Sequence, residues 1–270
     1  MTTASAPAKI NLALVVGPRR DDGKHEVATV LQRLDLADSI SLDTYQGLRV
    51  SGFAGDTIVS AALTALAATA GVAPAWHVAI QKRIPVAAGL GGGSSDAATA
   101  LVLANGTLAE PLPREELGAV AASVGADVPF FLDPGSQLGT GDGTVLEPLV
   151  VPDGYHVVVV VPDGESKASS AAVYDAFDRR GGEAGFDRRR DELLAALEHL
   201  RVPRDLAALP RNDLVSSSHA SELERLGAFR ADVSGAGPAV YGLFDDGEAA
   251  NAASKAFEPL GKTWICAPTW

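Results

Sequence analysis

The chain has 270 residues, 47% hydrophobic and 21% charged, which gives it the make-up of a globular protein with length for one large core or two modest ones. Its 34 acidic residues against 22 basic ones leave a net charge of −12, and no like-charge block exceeds Arg188-Arg189-Arg190, which argues against nucleic acid as a partner. A lone cysteine (Cys266) excludes a disulfide framework, Val157–Val161 is too short an apolar run to span a membrane, and Met1–Ala8 lacks a secretory pattern, so the expected location is the cytoplasm.

In chain order, Ile10–Gly17 reads as a strand, Pro18–Gly23 as a charged loop, and Val27–Leu36 and Ser39–Asp43 as two strands around a turn. A short strand at Leu48–Ser51 precedes a helix at Ile58–Ala70, whose apolar residues recur at helical spacing until Gly71. Trp76–Ile84 alternates as a strand and stops at Pro85. After the run Gly89-Leu90-Gly91-Gly92-Gly93-Ser94-Ser95, a helix is expected to begin at Ser94-Ser95-Asp96 and continue to Leu103, followed by another at Arg114–Val124.

Pro152-Asp153-Gly154 marks a turn before the strand Tyr155–Val161. Helices are expected at Ser170–Asp178, Asp191–Leu200, Asp213–Leu226 and Gly247–Phe257. Strands are expected at Ala231–Ser234, Ala239–Phe244 and Thr263–Ala267. The elements mix without regular strand–helix alternation, so the fold class is α+β, with a domain boundary placed at 152/153.

Several residues carry candidate chemistry. Glycines without a Cβ let backbone amides approach an anion, and the helix start that follows favours a phosphate. Ser94 and Ser95 add hydroxyls. Read alone, the same segment is equally a flexible turn with a serine cap. It is neither a Walker loop, since no lysine follows, nor a dinucleotide fingerprint, since the βαβ context is missing.

Strand alternation puts Lys9 and Asn11 on one face and Ile10 and Leu12 on the other; taken by itself, an exposed strand face is the simpler reading. Asp127 lies in Gly125-Ala126-Asp127-Val128-Pro129, where Pro129 is expected to hold Val128 extended. A carboxylate near a helix C-terminus suits a base that takes a hydroxyl proton, while closing its own turn is the commoner role for an aspartate. No His-x-x-x-His or His/Cys pair supports a zinc site, so His25 is cast as a hydrogen-bonding residue. Tyr174 and Asn212 have no independent case.

Five motifs in order, Pro7-Ala8-Lys9-Ile10-Asn11-Leu12, Asp22-Gly23-Lys24-His25, Gly89-Leu90-Gly91-Gly92-Gly93-Ser94-Ser95, Gly125-Ala126-Asp127-Val128-Pro129 and Ser234-Gly235-Ala236-Gly237, resemble the GHMP kinase superfamily. Within it they look most like the 4-diphosphocytidyl-2-C-methyl-D-erythritol kinases of non-mevalonate isoprenoid synthesis. The resemblance implies a two-domain GHMP kinase fold, with a ribosomal-S5-like domain over 1–152 and a ferredoxin-like domain over 153–270. It implies ATP and Mg²⁺ as cofactors and a cytidine diphosphate sugar-alcohol as substrate.

By the same likeness, Lys9 and Asp127 are the catalytic pair. Pro85, Val86, Ala87, Ala88, Gly89, Leu90, Gly91, Gly92, Gly93, Ser94 and Ser95 bind ATP, with Ser95 the candidate metal ligand. Asn11, Lys24, His25 and Tyr174 fall to the substrate, His25 and Tyr174 to its cytosine. The chain departs from the pattern at Lys24, where the family usually has an aromatic, at Ala236, where it has a hydroxyl residue, and at Asp56, where it often has asparagine. Those departures leave two alternatives open, a GHMP kinase for another hydroxyl acceptor and a nucleotide-binding sensor without activity.

Overall fold

The computed structural model describes residues 1–165 and 169–269. Packing divides the chain into two compact units that interleave in sequence: the first holds residues 1–8, 36–86 and 91–134, the second 9–35, 87–90 and 135–270. Two long strands, β1 (Thr2–Arg19) and β2 (His25–Thr44), contribute residues to both.

In the first unit, β2 pairs antiparallel with β4 (Ala75–Gln81), and β4 pairs parallel with β3 (Gly47–Ser51). Three helices accompany them: α1 (Ile58–Thr69), α2 (Gly92–Asn105) and α3 (Arg114–Val124), with a 3-10 turn at Pro129–Leu132. The α1 stripe Val59, Ala62, Leu63, Leu66 and Ala67 is buried, as its spacing requires. Asp56 accepts the N–H groups of Val59 (2.9 Å) and Ser60 (3.1 Å), satisfying donors that a helix start leaves open.

In the second unit, β2 pairs antiparallel with β5 (Ser136–Thr140), which pairs with β6 (Val145–Leu149). A separate antiparallel sheet follows the order β10-β7-β9-β8, built from β7 (His156–Pro162), β8 (Arg230–Val233), β9 (Val240–Phe244) and β10 (Gly261–Cys266). A last two-residue strand, β11 (Pro268–Thr269), returns to β2. The helices here are α4 (Ser170–Arg179), α5 (Phe186–Leu197), α6 (Ser218–Arg225) and α7 (Gly247–Phe257).

The valine run of β7 is fully buried from Val157 to Val160, the pattern of a strand covered on both faces. Val158 and Val160 pack with Leu223, Phe244, Ala253 and Phe257 in one core cluster. Each such side chain contributes roughly 1.5–3 kcal/mol by leaving water.

Several expectations change: the helix expected at Asp191–Leu200 runs over Phe186–Leu197, and that expected at Asp213–Leu226 over Ser218–Arg225. The two strands expected at 27–36 and 39–43 are one, β2, because the polar residues at the expected turn are satisfied by neighbouring segments: Asp35 accepts the N–H of Ala267 at 2.9 Å, and Asp38 accepts that of Ile84 at 2.8 Å. Helix α2 begins at Gly92, two residues before Ser94, so Gly92 and Gly93 lie inside its first turn. Val128, expected to be extended before Pro129, is helical at φ −65°, ψ −44°; its carbonyl accepts the N–H of Phe131 at 3.1 Å and so starts the 3-10 turn.

Candidate active site

In the second unit, Lys9 and Asn11 share a face of β1, as alternation predicts, but that face is buried: Lys9 is 3% and Asn11 4% exposed. An ammonium out of water requires acceptors. Lys9 Nζ donates to Asn11 Oδ1 at 2.6 Å, Asn11 Nδ2 to Thr29 Oγ1 at 2.8 Å, and Thr29 Oγ1 to the carbonyl of Ala13 at 2.8 Å. The relay sets which end of the Asn11 amide faces Lys9. Below it, Tyr241 Oη donates to the carbonyl of Asn11 at 2.9 Å and Arg230 to that of Leu12 at 2.7 Å. Burial pushes the Tyr241 hydroxyl up to about 12, which keeps it a donor.

Two further segments of this unit come to the same place. The N–H of Lys9 donates to the carbonyl of Leu90, that of Ala239 to Ala88, and Ser234 Oγ to Gly89, each at 2.9 Å. A Cβ on Gly89 would stand 2.3 Å from the carbonyl oxygen of Ser234, so only glycine fits there. One on Gly235 would stand 3.4 Å from both Lys9 Nζ and Asn11 Oδ1. Residues 87–90, the turn 235–238 with its cis Gly237–Pro238 bond, and the Lys9–Asn11 face thus form one cluster.

Ala87 within it has φ +58°, a left-handed conformation that an alanine adopts only under constraint. Asn212, which had no case in the sequence, latches the turn: its amide donates to the carbonyls of Val233 (2.9 Å) and Gly235 (2.6 Å). Beside the turn lies a cleft of about 530 Å³, lined by Val173, Val215, Ser217, Ala236 and Pro238 among others.

His25 and Tyr174 also meet in this unit. Their rings stack with centroids 4.8 Å apart and planes 28° apart, and Phe177 presents an edge to His25 at 6.0 Å. His25 Nε2 lies 2.7 Å from Asp178 Oδ1, and Arg19 reaches the other oxygen of Asp178 at 3.0 Å. These contacts hold the Asp178 carboxyl below the usual range, the hydrogen bond with His25 being the largest influence. The ammonium of Lys24 is engaged by Asp142. Burial raises the Asp142 carboxyl, but Lys24 and the Thr144 hydroxyl and N–H outweigh it and bring it down to about 2.

In the first unit, the N-terminus of α2 follows Gly91, whose φ is +70°, and no side chain caps it. With no acidic residue in that first turn, the positive end of the helix stays available to an anion. The Ser95 hydroxyl and one oxygen of Asp96 are buried without a hydrogen-bond partner. The other Asp96 oxygen accepts from Lys82 at 2.8 Å, and Lys82 also donates to Asp38. Burial, aided by Asp38 and opposed by Lys82, pushes the Asp96 carboxyl up to about 7. Sequence reasoning missed this cluster, because its members are 44 and 14 residues apart. Asp127 sits half-buried in the turn between α3 and the 3-10 turn. Among the described residues, no group of three or more His, Cys, Asp or Glu is placed to hold a metal.

Comparison with known proteins bears on these arrangements. The profile of the GHMP kinases N-terminal domain matches residues 57–135, and that of the GHMP kinases C-terminal domain residues 220–261. A 4-diphosphocytidyl-2-C-methyl-D-erythritol kinase of Salinispora arenicola is 40% identical, the match covering 92% of this chain and 83% of the relative. One from Kineococcus radiotolerans is 37% identical over 96% and 86%. The crystal structure of a 4-(cytidine 5'-diphospho)-2C-methyl-D-erythritol kinase superposes with a TM-score of 0.80 at 30% identity, covering both chains completely. A mevalonate kinase at 13% identity shares the fold, with a TM-score of 0.78. With two domain profiles in order and close relatives along nearly its whole length, this chain belongs to the GHMP kinases, in the family of the 4-diphosphocytidyl-2-C-methyl-D-erythritol kinases.

Proposed function

We propose that this chain transfers the terminal phosphoryl group of ATP to the 2-hydroxyl of 4-diphosphocytidyl-2-C-methyl-D-erythritol, on the non-mevalonate route to isoprenoid precursors. The observation that carries the reading is the 40% identity to a kinase of that name along 92% of the chain. The buried Lys9–Asn11 pair supports it, because a lysine taken out of water and oriented by a fixed amide is suited to charge that develops during reaction.

In this reading Asp127 accepts the proton of the attacking hydroxyl as its oxygen bonds to phosphorus and the bond to ADP breaks. Lys9 orients that hydroxyl and offsets the developing charge. Residues 85–95 hold the ATP phosphates through backbone amides, with the uncapped start of α2 contributing its dipole. Asn11 meets the methylerythritol hydroxyls, His25 and Tyr174 the cytosine, and Lys24 lies beside them. The two family modules are assigned to 1–152 and 153–270, and the protein to the cytoplasm; no helix among the described residues is long and apolar enough to cross a membrane.

For Mg²⁺, the buried, unpartnered Ser95 hydroxyl is a hard donor of the kind this ion takes. A site with one or two protein oxygens fits an ion that keeps water and nucleotide phosphates as its other ligands. Ser95 would hold it, and when bound the ion neutralises phosphate charge.

The test is ATP consumption with the cytidyl substrate against mevalonate, homoserine and galactose. Turnover confined to the cytidyl substrate is expected. Turnover only with another acceptor would keep the kinase and discard this substrate. ATP binding without turnover on any of the four would favour a nucleotide sensor.

A further inference from the structure

Lys82 stands just ahead of the glycine segment, and two buried carboxylates of its own unit share its ammonium. The Asp38 side chain is 0% exposed; one oxygen takes Lys82, and the other takes the N–H groups of Arg83 and Ile84, the latter at 2.8 Å. Asp96, the fifth residue of α2, takes Lys82 at 2.8 Å and has a side chain 3% exposed. A Cβ on Gly92 would stand 3.0 Å from Ile84 Cγ2 and 3.2 Å from Lys82 Nζ, so the first residue of α2 rests on the same strand exit. One ion cluster therefore ties residues 82–84 to the first turns of α2.

A buried ion cluster is a poor source of net stability, because stripping water from three charges offsets most of their attraction. Its effect is geometric. Lys82 satisfies both carboxylates only while the strand exit and the helix start keep one separation. That separation fixes where the first-turn amides of α2 point; residues 87–90 are held separately, through the N–H of Lys9, the Ser234 hydroxyl and the N–H of Ala239. An error of about 1 Å in such a device weakens oriented contacts far more than it weakens the fold. The Ser95 hydroxyl and the free Asp96 oxygen leave unused polar capacity at this helix start.

We propose that Lys82, Asp38 and Asp96 are positioning residues for phosphoryl transfer, setting the geometry in which the start of α2, residues 91–95, receives the phosphates of ATP. This rests on the reading of 85–95 as the ATP-binding segment. Lys82 acts here through the backbone at the start of α2.

The test uses the full chain with Asp96→Ala, Asp96→Asn or Lys82→Arg. It measures affinity for a fluorescent ATP analogue, KM for ATP and for the cytidyl acceptor, and thermal unfolding. Asp96→Ala is expected to weaken the analogue and raise KM for ATP about tenfold, with KM for the acceptor moving less than about twofold. Asp96→Asn, whose amide oxygen still accepts from Lys82, should stay within about threefold of the unaltered chain.

Should Asp96→Ala fail to fold, Lys82→Arg carries the test. Its planar fork keeps the charge but changes the spacing, and should weaken ATP about fivefold with the acceptor unaffected. Unchanged ATP affinity in a folded Asp96→Ala or Lys82→Arg chain overturns the proposal, as do equal losses toward ATP and acceptor. An unaltered chain that binds no ATP analogue removes the ATP reading and this proposal together, an outcome distinct from the others.

Discussion

Lys9 and Asp127 bear the chemical step in the proposed reaction, and each can lose its charge with little change of shape. Lys9→Met keeps the aliphatic stem and removes the ammonium that Asn11 orients. It should lower kcat by about 10²–10³ while ATP still binds, as loss of a preorganised charge in a dry site does. Asp127→Asn should lower kcat by about 10²–10⁴ if its carboxylate takes the hydroxyl proton. Single-turnover phosphate transfer and equilibrium ATP binding separate the two effects; a kcat within a few-fold of the unaltered chain would remove Asp127 as the base. Asp142 supports a prediction of another kind. Its carboxyl ionises at about 2 in the folded chain against 3.8 as its ordinary value, so its contribution is complete above pH 4 and lost as pH falls through 2. In urea unfolding, Asp142→Asn should therefore be less stable than the unaltered chain by a constant margin from pH 7 to pH 5. That margin should narrow below pH 4. A margin still whole at pH 2 would mean that something other than the carboxylate charge is being measured.

At the scale of elements, the segment 85–91 holds two residues with opposite responses to one methyl group. Ala87 has φ +58°, where a Cβ costs about 1–2 kcal/mol. Ala87→Gly relieves that strain and adds about 0.5–1 kcal/mol of unfolded-state freedom, so stability should hold or rise slightly. Gly89→Ala, at φ +88° and 2.3 Å from the Ser234 carbonyl, should cost about 1–3 kcal/mol and displace the contacts among 87–90, β1 and the 235–238 turn. Thermal unfolding of the two variants decides it, and equal losses in both would mean that local conformation is not what sets the segment. Elements with local punctuation were legible: α3 and α7 fall at their expected bounds because a proline or aspartate starts each and the apolar stripe continues to the end. The β5–β6 hairpin was not. Its strands are short, β6 carries Pro148, and only pairing of β5 with β2 and of β6 with β5 makes them strands. The motifs of the site were legible one by one, and alternation rightly joined Lys9 to Asn11. Their burial was not, since it depends on Thr29 and on turn 235–238, which no local pattern connects to β1.

For the whole molecule, the net charge of −12 sets a condition on a reaction whose proposed substrates are both anionic. A field of that sign repels ATP at long range, and only local positive features, such as the start of α2, favour its phosphates at contact. The two influences answer differently to salt. Long-range repulsion is screened as the Debye length falls from about 30 Å at 0.01 M to about 8 Å at 0.15 M, whereas short contacts in a desolvated site are screened much less. The rate constant kcat/KM for ATP should therefore rise with ionic strength over that range, by less than about tenfold, before contact attraction begins to weaken. Stopped-flow binding of a fluorescent ATP analogue in a salt series at fixed free Mg²⁺ measures the association step directly. A rate that falls from the lowest salt upward would mean that positive charge near the phosphates governs the encounter despite the acidic remainder. A rise confined to association, with dissociation unchanged, would place the repulsion in the approach rather than in the bound complex.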